Sequence, residues 1–190
     1  MISLEQIKKS RVREEKLVNL SSGIKKLPKN ICLNINCYAY ALGIMEPSPE
    51  NKVLYIPGFT TENLVDYSSP ENFLKKVCED MNNLGIKYRK FGVYDHDIVL
   101  NNNEYLIQVL YIEPNKENFT KGSFHFIRKS RYDFWFSKPG WIHQPILENI
   151  IDVKNYSNFQ IVKCKYQFCV IEYKLSLIHI SEPTRHAQIS

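Results

Sequence analysis

Apolar residues along this chain change their period twice. Up to residue 27 they are sparse and set among charges. Leu17, Leu20, Ile24 and Leu27 recur at i, i+3, i+7 and i+10, a narrow stripe on a polar helix or flexible arm whose second half can dock. Pro28 stops that pattern. A polar loop with Asn30, Asn34 and Asn36 follows, then the apolar run from Cys37 to Ile44. Asparagine is a good N-cap, so Asn34 or Asn36 is expected to start a short helix holding Tyr38 to Leu42 and closed near Gly43. Pro47, Pro49 and Pro57 make the stretch 45–57 a loop. A longer helix follows, with Ser69 as cap and Pro70 at its first position. Phe73, Leu74, Val77, Met81 and Leu84 form its apolar face, and Gly85 is its stop. From residue 86 the pattern turns to β. Strands are expected at 86–91, 97–100, 105–113, 124–129, 134–138 and 165–173, rich in Tyr, Phe, Ile and Val and separated by Asn, Gly and Pro. Helices first and an antiparallel sheet after is the α+β class.

Residues 175–190, LSLIHISEPTRHAQIS, read as the translation of a transposase adapter from a sequencing library. They are set aside as non-native, as a fusion scar would be. This divides the chain into a basic arm (1–27), one α+β domain (28–174) and a non-native tail (175–190). It also removes His179 and His186, leaving His96, His125 and His143 as candidate imidazoles.

Charge adds one thing. Of the formal net charge of +5, the first 27 residues carry seven bases against three acids, so the domain is near neutral. Basicity therefore belongs to the arm and is best read as a solvated face. No interleaving of aromatic and basic residues marks a nucleic-acid platform, and nucleic acid is not the expected partner. No run of 18 apolar residues predicts a membrane span, and no leader pattern opens the chain, so the cytoplasm is the expected compartment. Only 7 glycines are present and none builds a phosphate loop, so mononucleotide binding by that motif is excluded and no cofactor is expected.

Of five cysteines, Cys37 stands out because it falls at the start of a predicted helix. Unpaired backbone N–H groups there favour a thiolate and can receive a developing oxyanion. A thiol nucleophile needs a base from elsewhere in the fold. His125 is the candidate, since alternation puts Phe124 and Phe126 on one strand face and His125 on the other. The oxyanion donors expected are the Cys37 backbone N–H and a side-chain amide from Asn34 or Asn36, each of which is also a natural cap. Cys32 and Cys37, and Cys164 and Cys169, form two pairs spaced five apart. That spacing is wider than most zinc knuckles, and on a strand it points to opposite faces, so no metal site is expected. An odd cysteine count without a leader argues against disulfides. Trp135 and Trp141 flank a Lys138-Pro139-Gly140 bend, with core packing as their default role.

Cys37-Tyr38-Ala39-Tyr40-Ala41 resembles the nucleophile helix of papain-like cysteine peptidases. The order of nucleophile on an early helix, histidine on a later strand and polar orienter on the next strand is similar too. More closely, residues 30–174 resemble a group of uncharacterised bacterial, phage and large-virus proteins. Those carry Asn-Cys-Tyr-x-Tyr-Ala, a Pro-Gly step, a His-Phe-Tyr-Arg strand and a Trp-Ser-His-Lys-Pro-Gly strand. The counterparts here are Asn36 to Ala41, Pro57-Gly58, His125-Phe126-Ile127-Arg128 and Trp135-Phe136-Ser137-Lys138-Pro139-Gly140. The resemblance implies a papain-like fold, N-terminal helices packed on an antiparallel sheet. It implies a cysteine hydrolase (peptidase or amidase) or acyltransferase acting on a peptide or amide substrate, with Cys37 as nucleophile and His125 as base. Ser137 stands where the group has its second histidine. As orienter of the imidazole a serine can accept a hydrogen bond but brings no charge. Asp133, nearby, is expected in the turn. The competing expectation is an inactive papain-like binding module of phage or toxin-associated origin. Hairpin parity links the two positions: an odd loop between the strands puts His125 and Ser137 on one face, an even loop on opposite faces.

Overall fold

The computed structural model describes residues 3–19, 21, 23–46, 55–61, 69–92, 98–112, 122–130, 132–148 and 162–171. The expectations for His96 and for the tail 175–190 lie outside them.

Helices occupy the N-terminal half and an antiparallel sheet the rest, an α+β arrangement. The first helix, α1 (Leu4–Ser10), has a reciprocal cap: Ser3 Oγ accepts from Gln6 N–H, and Gln6 answers on Ser3 N–H. A single turn, α2 (Glu14–Leu17), leads into a small hairpin of β1 (Val18–Asn19) and β2 (Gly23–Ile24). The stripe from Leu17 to Leu27 therefore does not run on as one helix. Gly23, at φ 77°, reverses the chain inside it. Nor does this segment stand off as an arm. Ile7, Leu17, Val18 and Leu27 are buried in the main core. Val12 N–H donates to the Gly43 carbonyl at 2.8 Å, and Arg11 Nε donates to the Leu42 carbonyl at 2.9 Å.

Two short helices follow, α3 (Lys29–Cys32) and α4 (Cys37–Ala41), the latter ending at Gly43 with φ 74°. Then comes α5 (Pro70–Asn83), where Ser69 Oγ caps Asn72 N–H and Gly85 closes the helix at φ 69°. The sheet strands are β3 (Lys87–Gly92), β4 (Glu104–Ile112), β5 (Ser123–Lys129), β6 (Trp135–Ser137), β7 (Ile146–Leu147) and β8 (Val162–Ile171). Their spatial order is β3-β8-β4-β5-β6-β7, every pair antiparallel. Five of the six expected strands appear within a few residues of their predicted bounds; 98–100 is irregular backbone. A register shift between Val109 and Leu110 sets Tyr166 and Cys164 against them.

The core forms where α4 and α5 meet the sheet. The Tyr38 ring lies 4.5 Å from that of Phe126, and Phe73 packs against Tyr111 and Phe124 at 5.4 and 5.8 Å. Arg128, wholly buried, lays its guanidinium over the Tyr105 ring at 3.3 Å. Asp80, fully buried on α5, ties the helices to the loop 55–61. Its carboxylate accepts from Tyr38 Oη, Gly58 N–H, Thr60 N–H and Thr60 Oγ1. Burial raises the Asp80 pKa, and the bonds from Thr60, Gly58 and Tyr38 oppose that rise.

Candidate active site

Asn36 is the residue that starts α4. Its Oδ1 accepts from Ala39 N–H at 3.0 Å, while its Nδ2 donates to the Tyr55 carbonyl. Cys37 is thereby the first residue of the helix, 5 % exposed. As the first helical residue it has a backbone N–H with no intrahelical acceptor.

His125 comes from β5. Phe124 and Phe126 turn to the helices, and His125 and Ile127 to the other face. Between β5 and β6, Ser130 N–H donates to the Phe134 carbonyl and Asp133 N–H to the Ser130 carbonyl, with Asp133 at φ 65°. This is a three-residue turn closed by a left-handed residue. Its odd length sets Ser137 against Ile127, and so on the His125 face. That pair is the last between the two strands. Just past it, the imidazole is near enough to the Cys37 side chain for that group to raise its pKa.

Ser137 does not hold the ring itself. Its Oγ donates to Glu148 Oε1, and Glu148 stands 4.0 Å from His125 Nε2. At that separation the contact is an ion pair, longer than a formed hydrogen bond; unliganded sites are often looser than their complexes. Glu148 follows β7, and its backbone N–H is fixed on the Trp135 carbonyl at 2.8 Å. The imidazole is thus set between a sulfur and a carboxylate. Burial alone would lower its pKa. The neighbouring Cys37 and Glu148 outweigh that and raise it to about 9.

The two asparagines are not brought to the sulfur as amide donors. Asn36 has its amide nitrogen on Tyr55, and Asn34 is exposed with Nδ2 on the Asn30 carbonyl at 2.6 Å. Asp133 lies in the turn and pairs with Lys129 at 2.7 Å. Cys32, also buried, donates its thiol to the His143 carbonyl at 3.3 Å. His143 contributes backbone only to that bond, and its side chain is exposed. Among the described residues, no group of three or more His, Cys, Asp or Glu is arranged to hold a metal ion. Nor is any described helix long and apolar enough to cross a membrane.

Glu148 and Lys138 escape a reading of the sequence. Glu148 sits behind a strand of only two residues, too short to show a period. Lys138 reads as part of a bend between two tryptophans, and it is wholly buried. The sole local signal for Glu148 is an acid directly after an apolar pair, which many loops share.

No protein-family model, curated protein or solved structure matches this chain.

Proposed function

We propose that this is a cysteine hydrolase of peptide or amide bonds, or an acyltransferase, built in the papain-like manner on Cys37, His125 and Glu148. The observation that carries the reading is His125 held between the Cys37 thiol on one side and the Glu148 carboxylate on the other. Glu148, braced by Ser137, takes the place of the orienter for which the serine alone is inadequate.

The proton of the thiol passes to the His125 imidazole, and the sulfur attacks the substrate carbonyl carbon, forming a C–S bond. The oxyanion faces the Cys37 backbone N–H. Collapse breaks the C–N bond as the imidazolium gives its proton to the leaving amine. Water, or a second nucleophile in a transferase, then attacks the thioester with His125 as base and frees the sulfur.

The test is site-resolved labelling with iodoacetamide at pH 6, read by peptide mass spectrometry. Cys37 is expected to react well ahead of Cys32 and Cys78, and to lose that lead in His125→Ala. Hydrolysis of a fluorogenic peptide-amide library is expected to vanish in Cys37→Ala. Equal labelling of all three cysteines, with no turnover of the library, favours the inactive binding module instead.

A further inference from the structure

We propose that Asp80 is a positioning residue for Cys37: its buried carboxylate holds, directly and through the loop 55–61, the two residues that flank the nucleophile in the chain. The inference rests on Cys37 being the nucleophile and reaches beyond the residues set around His125.

The direct tie comes from Tyr38, the residue after Cys37. Its Oη donates to Asp80 Oδ2 at 3.0 Å inside the core. Neighbouring rings fix the phenol, Phe126 at 4.5 Å and Phe59 at 6.1 Å. The indirect tie ends on Asn36, the residue before Cys37. Asn36 Nδ2 donates to the Tyr55 carbonyl, and the Tyr55 ring packs on that of Phe59 at 5.1 Å. Phe59 stands between Gly58 and Thr60, whose backbone N–H groups donate to opposite oxygens of Asp80 at 2.6 and 3.0 Å. Thr60 Oγ1 donates to the carboxylate as well, and Asn83 Nδ2, also on α5, donates to that hydroxyl at 2.9 Å. Cys37 is thus bracketed by two residues that share one anchor on another helix. The five residues of α4 form too short a helix to set their own position. Asp80 is fully buried. The cost of burying a carboxylate is offset here by four donors on two oxygens. Such bonds have fixed directions, which apolar packing lacks, and they orient the start of α4 as well as holding it.

The experiment follows iodoacetamide labelling of the full chain from pH 5.5 to 9, read by peptide mass spectrometry, in wild type, Tyr38→Phe, Asp80→Asn and Ser69→Ala. Tyr38→Phe keeps the ring and cuts the direct tie. Asp80→Asn keeps the shape but has an acceptor for only one of the Gly58 and Thr60 N–H groups, so it loosens the loop. Ser69→Ala removes the cap of α5 and weakens the same helix without touching either tie. The plateau of the Cys37 profile reads access to the sulfur, and its midpoint reads the thiolate. In Tyr38→Phe and in Asp80→Asn the midpoint is expected to move to higher pH, and labelling at pH 6 to fall about fivefold relative to the plateau. Ser69→Ala is expected to keep the wild-type midpoint. A midpoint in either tie variant equal to that of a fast wild-type Cys37 overturns the role of Asp80 and leaves the nucleophile standing. An equal move in Ser69→Ala overturns it too, since lost stability then accounts for the effect. A wild-type Cys37 no faster than Cys32 and Cys78 overturns the nucleophile itself. Should Asp80→Asn fail to fold, Tyr38→Phe decides alone.

Discussion

His125 carries a proton more tightly than a free imidazole because Cys37 and Glu148 outweigh the effect of its burial. Removing one of them has a definite sign. In Glu148→Gln the NMR titration of the His125 ring is expected to move down from about 9. The pH dependence of folding follows by linkage. A histidine whose folded pKa is raised contributes stability that is complete below its unfolded value. That stability is lost as pH rises through the folded value. Thermal melts of the wild type should therefore drop across the window from 6.5 to about 9, and Glu148→Gln should flatten that slope. An unchanged slope means Glu148 does not hold the ring. Catalysis by the proposed route loses its acid over the same range, so its alkaline limb moves down in the variant as well.

At the scale of elements, α4 is only five residues long and has no stability of its own. It depends on Asn36, which both caps it and fastens it to the loop at Tyr55. Asn36→Ala is expected to cost about 1–2 kcal/mol in urea denaturation. Asn36→Asp keeps the cap but sets a carboxylate oxygen against the Tyr55 carbonyl, and should recover none of that loss. Wild-type stability in Asn36→Asp would mean the Tyr55 tie contributes nothing. These elements also mark how far a sequence can be read. Both α4 and α5 were legible because their caps and closing glycines are local: Asn36 and Gly43, Ser69 and Gly85. Cys37 and His125 were legible for the same reason, one by its place at a cap, the other by strand alternation. The β1–β2 hairpin and β7 were not, since two-residue strands exist only through their partners. Glu148 and Lys138 were hidden likewise, because burial and charge partners arise from tertiary neighbours, and nothing adjacent in sequence encodes them.

For the molecule as a whole, the first 27 residues belong to the body and not to an appendage. Ile7, Leu17, Val18 and Leu27 lie in the core. A fully buried aliphatic side chain contributes about 1.5–3 kcal/mol, against a total stability of about 5–15 kcal/mol for a typical domain. Deleting residues 1–27 is therefore expected to abolish the cooperative thermal transition. A truncated chain that melts at the wild-type temperature would return the segment to the status of an arm. The strand order carries a different consequence. Because β8 lies between β3 and β4, two parts of the sheet made early share no border until a late part arrives. During synthesis each would present a raw margin of amide and carbonyl groups to the cell. Birth of this protein is thus a keystone assembly: whatever guards a nascent polypeptide from sticking must keep guarding it until the wedge at 162–171 has left the ribosome.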